Sequence, residues 1–370
     1  MRATRAIIHL DNFQSNIEEV RKKAGPHCRI CVPVKADAYG HGAVPVSLRA
    51  LEAGAEYLAV AALSEGAELR SRGITAPVLL LSQALPEEFP DIVSLALSPL
   101  VSDYEVIEQL AFTAKIAGKK LPVHLKIDSG MGRMGCRPEE AAALAAKIVS
   151  HKELTLEGVA THLSVSDSLN PDDFAYTKEQ LRRFGEAVYS IRDAGIEPCI
   201  VHAANSGAFV FHEDSYFDMV RPGIFLYGYS PAASEKEGLI AKPVMEFRSA
   251  VVSIKEIKKG EAVSYGRTWV SPEDTKIGII PAGYADGLPR LLSNNFSVLI
   301  QGKTYPLIGR ICMDQCMVNL GKETAVQRWD EVKFFGPGFT TAADIAEKLN
   351  TIPYEITCNI NKRVPRVYAG

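Results

Sequence analysis

The stretch Val32–Gly42 reads VPVKADAYGHG, and the rest of the chain is organised around it. It overlaps the run CRICVPV (28–34), apolar except for Arg29, so a short buried strand delivers Lys35 at its end. A small polar loop with Asp37, Tyr39 and His41 follows. Burial disfavours the charged form of an amine and lowers its pKa. That is how a lysine becomes a nucleophile able to form a Schiff base. The alternative is a lysine that snorkels out of a sheet edge. Taken alone, Lys35 favours the snorkelling reading, so the remaining sequence has to decide.

Working outward, apolar strand-like runs recur at 4–9, 29–34, 57–62, 77–82, 97–101, 121–127, 155–161, 198–203 and 218–227, with helical segments between most of them. Asp11 reads as an N-cap with Gln14 three residues on, before a face of Phe13, Ile17 and Val20. Ser102 with Glu105 reads as a capping box, and Pro138-Glu139-Glu140 as a first turn. Leu181, Phe184, Val188 and Ile191 mark one face of a long helix that Gly195 ends. Repeated strand–helix units with continuous apolar strands imply a parallel sheet buried on both faces. Nine strands are one too many for a closed eight-stranded barrel, so the first is free to leave and pack with the C-terminal domain. The remaining extent, about 250 residues, suits a (β/α)8 TIM-type barrel, with a doubly wound open sheet as the competing architecture. Beyond residue 240 the texture changes to short Val- and Ile-rich segments with Gly turns, as expected of a mainly antiparallel β domain, interrupted by one helix at Ala342–Leu349. Residues Ser230–Glu237 read as the linker. The expected organisation is therefore α/β, with a barrel at 1–240 and a β-rich domain at 241–370.

Composition narrows the function classes. A chain of 370 residues suits two domains, and 47% apolar with 23% charged residues is an ordinary globular balance. A net charge of −3 gives no electrostatic footprint for nucleic acid or an anionic membrane surface. No segment is long and apolar enough to span a bilayer, and the apolar part of MRATRAIIHLD is too short for a signal-peptide core. The seven cysteines, several in apolar runs (Cys28, Cys31, Cys199), read as reduced, buried thiols of a cytoplasmic protein. The Cys312/Cys316 pair lacks a second pair, so no metal site is expected.

A barrel places its chemistry at the C-terminal ends of its strands. Lys35 sits at one such end. KIDSGMGRMG (126–135) presents Arg133, THLSVSD (161–167) presents His162, HAANS (202–206) presents Ser206, and VRPGIFLYG (220–228) places Arg221 beside Gly223 and Ile224. A lysine, backbone amides suited to a phosphate and two arginines at one mouth fit a phosphorylated aldehyde cofactor. GMGRMG (130–135) also matches GxGxxG, with Glu157 at the spacing of a ribose-binding acid. Arg133 inside the turn and Cys136-Arg137-Pro138 before the next helix argue instead for a catalytic loop.

Together VPVKADAYGHG, DSGMGRMG, HAANSG, MVRPGIFLYG, VSYG, AGYADG, GRICMDQ and VPRVY resemble the bacterial alanine racemase family over almost the whole chain. The resemblance implies a pyridoxal 5'-phosphate-binding barrel, a β-rich second domain, and head-to-tail homodimers whose partners complete each other's active sites. It implies that Lys35 holds the cofactor as a Schiff base and serves as one base, for the D-isomer. Tyr265, from the second domain, would be the other, for the L-isomer. A phenol's ordinary pKa is about 10, so a positive neighbour must lower it. In the family a hydrogen-bonded chain through the residue matching His162 to that matching Arg221 does this. Arg221 would face the pyridine nitrogen, to which it cannot give up a proton. Tyr39, Ser206, Gly223, Ile224 and Tyr354 would hold the phosphate. Arg133 would reach the phenolic oxygen and, with Met313 of the partner subunit, the substrate carboxylate. The partner's Tyr284 and the partner's Asp314 would line the entrance, and Lys126 matches a lysine that some members carry as a carbamate. The implied activity is interconversion of L- and D-alanine, supplying D-alanine for peptidoglycan. A broader racemase acting on serine remains open. A fold-related decarboxylase, which would place an acid where Arg221 stands, and a non-enzymatic cofactor-binding barrel fit less well.

Overall fold

The computed structural model describes residues 2–230 and 238–370, so all of the expected linker except Ser230 lies outside the described residues. The chain divides into two compact units: Gln14–Ala38 with Ala43–Ala241, and Met1–Phe13 with Tyr39–Gly42 and Lys242–Gly370.

Nine strands open the chain: β1 (Arg5–His9), β2 (Arg29–Pro33), β3 (Tyr57–Val60), β4 (Val78–Leu80), β5 (Ser98–Val101), β6 (Leu121–Lys126), β7 (Leu154–Ala160), β8 (Ile200–His202) and β9 (Met219–Val220). The last eight form one parallel sheet in the order β8-β7-β6-β5-β4-β3-β2-β9. Backbone bonds from Asp218 N–H to the Val201 carbonyl (3.0 Å) and from Arg221 N–H to the Ala204 carbonyl (2.9 Å) link β8 to β9 and close the ring. This is the barrel, and its strands are buried on both faces, as in β3 and β4, where every residue is buried. The helices between them cover the outside with the expected faces: Phe13, Ile17, Val20, Phe184 and Ile191 are fully buried.

Local details differ where short polar signals compete. Asp11 lies inside the first helix (Leu10–Ala24) rather than capping it. The cap before Tyr104–Ile116 is Asp103, whose carboxylate accepts from Val106 N–H at 2.9 Å, one residue beyond the expected Ser102. The apolar run 218–227 yields only the two-residue β9. Pro222 and Gly223 divert it into turns closed by Leu226 N–H to Gly223 O and Tyr227 N–H to Ile224 O. Cys199, expected buried, is exposed in the approach to β8, while Cys28, Cys31, Cys136 and Cys316 are buried and none of the seven cysteines forms a disulfide.

The second unit holds β10 (Met245–Ala250), β11 (Ser253–Ile257), β12 (Ala262–Val263), β13 (Trp269–Val270), β14 (Thr275–Ile280), β15 (Ser297–Ile300), β16 (Lys303–Ile308), β17 (Cys316–Gly321), β18 (Glu331–Phe335) and β19 (Arg366–Ala369). Nine strands, in the order β11-β14-β17-β16-β15-β18-β10-β1-β19, make a mostly antiparallel sheet. Here β1 pairs antiparallel with β10 and parallel with β19. Its alternation, Ala6 and Ile8 buried between half-buried Arg5, Ile7 and His9, is the signature of a sheet with one packed face. The helix Ala342–Leu349 forms as expected, and a second short one, Pro353–Cys358, follows.

Candidate active site

In the barrel unit, half-buried Lys35 comes two residues after β2 and opens a turn of opposite hand. Ala36, Asp37, Ala38 and Tyr39 all have φ between 51 and 54°. Four successive left-handed residues without a glycine cost about 1–2 kcal/mol each, so specific contacts must hold them. The Glu65 carboxylate accepts Ala36 N–H (2.6 Å) and Ala61 N–H (2.7 Å), Asp37 accepts Ala43 N–H (2.8 Å), and Ala38 N–H reaches the Val34 carbonyl (2.8 Å).

The glycine loop after β6 is built around Asp128. Its carboxylate accepts N–H from Gly130 (2.9 Å), Met131 (2.8 Å), Gly132 (3.1 Å) and Arg133 (3.1 Å). The amides that a dinucleotide phosphate would need are therefore already taken, which removes the GxGxxG reading. Gly135, at φ 134°, could carry no side chain, since a Cβ there would lie 2.4 Å from Asp128 N. Arg133 is exposed at the loop tip. Glu157 is engaged inside the barrel with the Tyr57 hydroxyl (3.1 Å) instead of binding a ribose.

Lys126 ends β6 and is 6% exposed, its Nζ donating to the Ile127 carbonyl at 3.1 Å. Burial, reinforced by the charge of Arg221, brings its pKa down to about 7. Arg221, just past β9, is buried, and burial lowers even its pKa to about 10. Its guanidinium donates to His202 Nδ1 (2.5 Å) and to the carbonyls of Thr161 (2.8 Å) and Ala203 (3.1 Å). Among the described residues no carboxylate pairs with it, and two of its five N–H groups stay uncommitted. No hydrogen bond joins His162 to Arg221; His202 takes that place. Burial, then Arg221 and Lys126, holds the His162 imidazole well below the usual histidine range, so it is neutral.

Asn205 ties the ends of two strands together: its Oδ1 accepts Ala208 N–H (3.0 Å) and the Ser166 hydroxyl (2.7 Å), and its Nδ2 donates to the Leu163 carbonyl (3.1 Å). Ser206 follows it, and the Ser206 hydroxyl oxygen accepts Phe225 N–H at 3.2 Å. The turn so anchored contains Gly223 and Ile224. Both are buried, and neither N–H has a hydrogen-bond partner among the described residues. Buried amides without partners are rare, so these two are set for an external acceptor.

The second unit gathers the other expected residues in two groups. Tyr39 and Tyr354 lie with ring centroids 5.5 Å apart, and the Tyr39–Gly42 segment is held by His41 Nδ1 to the Tyr39 carbonyl (3.0 Å) and Arg366 Nε to the Gly40 carbonyl (3.0 Å). Elsewhere three loops are laced together by the Ser264 hydroxyl to Arg310 O (2.6 Å), Tyr284 N–H to Cys312 O (3.1 Å) and Ala285 N–H to Met313 O (3.0 Å). They leave Tyr265 70%, Met313 52% and Tyr284 43% exposed. Asp314 pairs with Arg363 at 2.8 Å, and Arg363 also holds the fully buried Asp286 at 2.8 Å.

Sequence reading missed Asp128, Asn205, His124 and the partner role of His202. The Asp-Ser-Gly start of the loop is an Asx-turn signal for the first; a histidine inside the apolar run LPVHLK is the one for His124.

Comparisons with known proteins follow the same lines. A family profile described as "Alanine racemase, N-terminal domain" matches residues 8–231, and "Alanine racemase, C-terminal domain" matches 244–368. An alanine racemase of Treponema denticola is 50% identical over 100% of this chain and 98% of its own. A solved alanine racemase of Clostridium difficile superposes with a TM-score of 0.95 at 38% identity, covering 99% of this chain and 96% of that one. One of Bacillus anthracis, with bound L-Ala-P, gives 0.92 at 33% identity, over 100% and 96%.

Proposed function

Because the chain belongs to the alanine racemase family, an enzyme class that racemises alanine, we propose that it does so with pyridoxal 5'-phosphate on Lys35 and two bases of opposite approach. The observation that carries this reading is the pair of buried N–H groups at Gly223 and Ile224 beside Ser206, which have no partner among the described residues. It stands with a buried Arg221 that no carboxylate among those residues engages. The barrel residues fit the cofactor: amides and a hydroxyl for its phosphate, and N–H donors without a proton acceptor for its ring nitrogen. When bound, pyridoxal phosphate supplies an electron-accepting ring that stabilises the charge left on the substrate Cα.

The protein's part is to move one proton. Racemisation needs a base on each face, since a single base would return the proton to the side it left. Lys35 serves the face of the D-isomer, and Tyr265 of the partner subunit serves that of the L-isomer. The exposure of Tyr265, Met313 and Tyr284 supports a homodimer with shared sites. His162 and Arg221 would be the barrel-side neighbours of that tyrosine. Arg133 and the partner's Met313 contact the substrate carboxylate, and the partner's Tyr284 and the partner's Asp314 line the entrance. D-Alanine supply for peptidoglycan, in the cytoplasm, is the role we assign; among the described residues no helix is long and apolar enough to cross a membrane.

Two variants test the site. Lys35→Ala should remove the near-visible absorbance of the purified enzyme, and a retained band would sink the assignment. Tyr265→Ala should keep that band but lose roughly 100- to 10,000-fold in racemisation of L-alanine, the worth of a general base; full activity would exclude the second base. Chiral assays on L-alanine and L-serine in parallel settle the substrate.

A further inference from the structure

A charged group buried without a counter-ion is costly, and among the described residues Arg221 touches no carboxylate. The barrel interior shows what compensates it. His202 Nε2 lies 2.9 Å from His124 Nδ1, and His124 Nε2 lies 3.0 Å from Glu157 Oε2. Glu157 also accepts the hydroxyls of Tyr57 (3.1 Å) and Ser98 (3.4 Å), which open β3 and β5. Arg221 follows the end of β9, so the line Arg221–His202–His124–Glu157 runs through the barrel from its C-terminal mouth toward its opposite end. Both imidazoles are fully buried.

The chemistry of the two ends fixes the middle. A guanidinium only donates and a carboxylate only accepts. His202 Nδ1 must then accept, which leaves its proton on Nε2 to be donated to His124 Nδ1. His124 in turn carries its proton on Nε2 and donates it to Glu157. With neutral rings this is the one self-consistent order, and burial favours neutral rings: it is the leading cause lowering both histidines below their ordinary range. Were either ring reversed, two N–H groups would face each other.

We propose that Glu157 is a positioning residue for the racemase site, acting on Arg221 through the fixed Nε2–H tautomers of His124 and His202. The relay supplies the guanidinium's counter-charge at a distance. A carboxylate in direct contact would take the fork-like pair of N–H groups; the relay takes one, the two carbonyls take two, and two stay uncommitted among the described residues. The proposal rests on the reading above, in which those two N–H groups meet the cofactor's ring nitrogen.

The test uses the holoenzyme labelled with nitrogen-15 in its histidine rings, with His124→Gln and His202→Gln variants to assign the signals. Both rings should be neutral with the proton on Nε2. An imidazolium, or an Nδ1–H tautomer at either ring, overturns the proposal whatever any variant does. In Glu157→Met, which removes the acceptor at similar length, the two rings should show mixed tautomers. Its kcat should fall roughly 10- to 100-fold, the worth of a hydrogen bond to a charged group, with KM changed less than about threefold. Glu157→Gln, which keeps one acceptor oxygen, should restore the single tautomers and recover part of kcat. A Glu157→Met enzyme with single tautomers and unchanged kcat also overturns it. If Glu157→Met does not fold, the ring protonation of the unaltered enzyme decides. Alanine racemisation by the unaltered enzyme is measured alongside: its absence would count against the functional reading, whereas wrong tautomers in an active enzyme count against the relay alone.

Discussion

Lys126 sits in an environment far from what its type expects. Its amine, brought down to about 7 by burial and then by Arg221, is largely uncharged above neutrality, and an uncharged amine can take up carbon dioxide as a carbamate. We expect a carbon-13 carbamate resonance when the enzyme is held in labelled bicarbonate. At fixed dissolved carbon dioxide it should grow as pH rises through about 7, because only the neutral form reacts. Its absence in active enzyme, or in equal strength in Lys126→Met, would refute the assignment. At this scale the sequence was legible where a residue sits in a distinctive string, as Lys35 does. It was silent where the role comes from partners far along the chain. Asp128 is a plain acid in the sequence, and only folding shows it collecting four amides. Glu157 even invited the wrong role, because spacing along the chain says nothing of which way a strand residue faces a closed barrel.

Among the elements, the left-handed turn after β2 is the one that propensity could not foresee. Nothing in ADAY calls for positive φ, since glycine is its usual host and these four residues pay steric strain instead. The strain can be measured at exposed Ala36. Ala36→Gly should leave stability unchanged or raise it by up to about 1 kcal/mol, lost strain outweighing the freedom gained by the unfolded chain. Ala36→Val, which puts a branched side chain at φ 51°, should cost roughly 1–2 kcal/mol. Urea unfolding of both variants checks the pair; a glycine variant weaker than the parent would mean the turn is not strained. Helix faces, by contrast, were readable because periodicity averages over many residues. Caps slipped by a residue because Ser102 and Asp103 are both competent and only the local backbone selects one.

For the whole molecule, nine strand-like runs and a change of texture near residue 240 sufficed to expect a barrel followed by an antiparallel sheet, since continuous and alternating burial leave different patterns. What patterns cannot give is pairing between distant segments. β1 shows this best: Ile8 is fully buried between positions paired to Met245 on one side and Tyr368 on the other. Ile8→Ala should cost about 2–5 kcal/mol in chemical unfolding, as for other truncated core side chains; a loss under about 0.5 kcal/mol would mean the strand is loosely held. The same pairing has a consequence for how the chain is made. β1 leaves the ribosome first, but its partner β10 begins at Met245 and β19 at Arg366. At about 5–20 residues per second, the strand waits on the order of 10–50 s for the one and longer for the other. Meanwhile the barrel segment is already complete. An apolar edge left open that long is a site for wrong partners, and Arg5 and His9 at the two ends of RAIIH are the protection it carries while it waits.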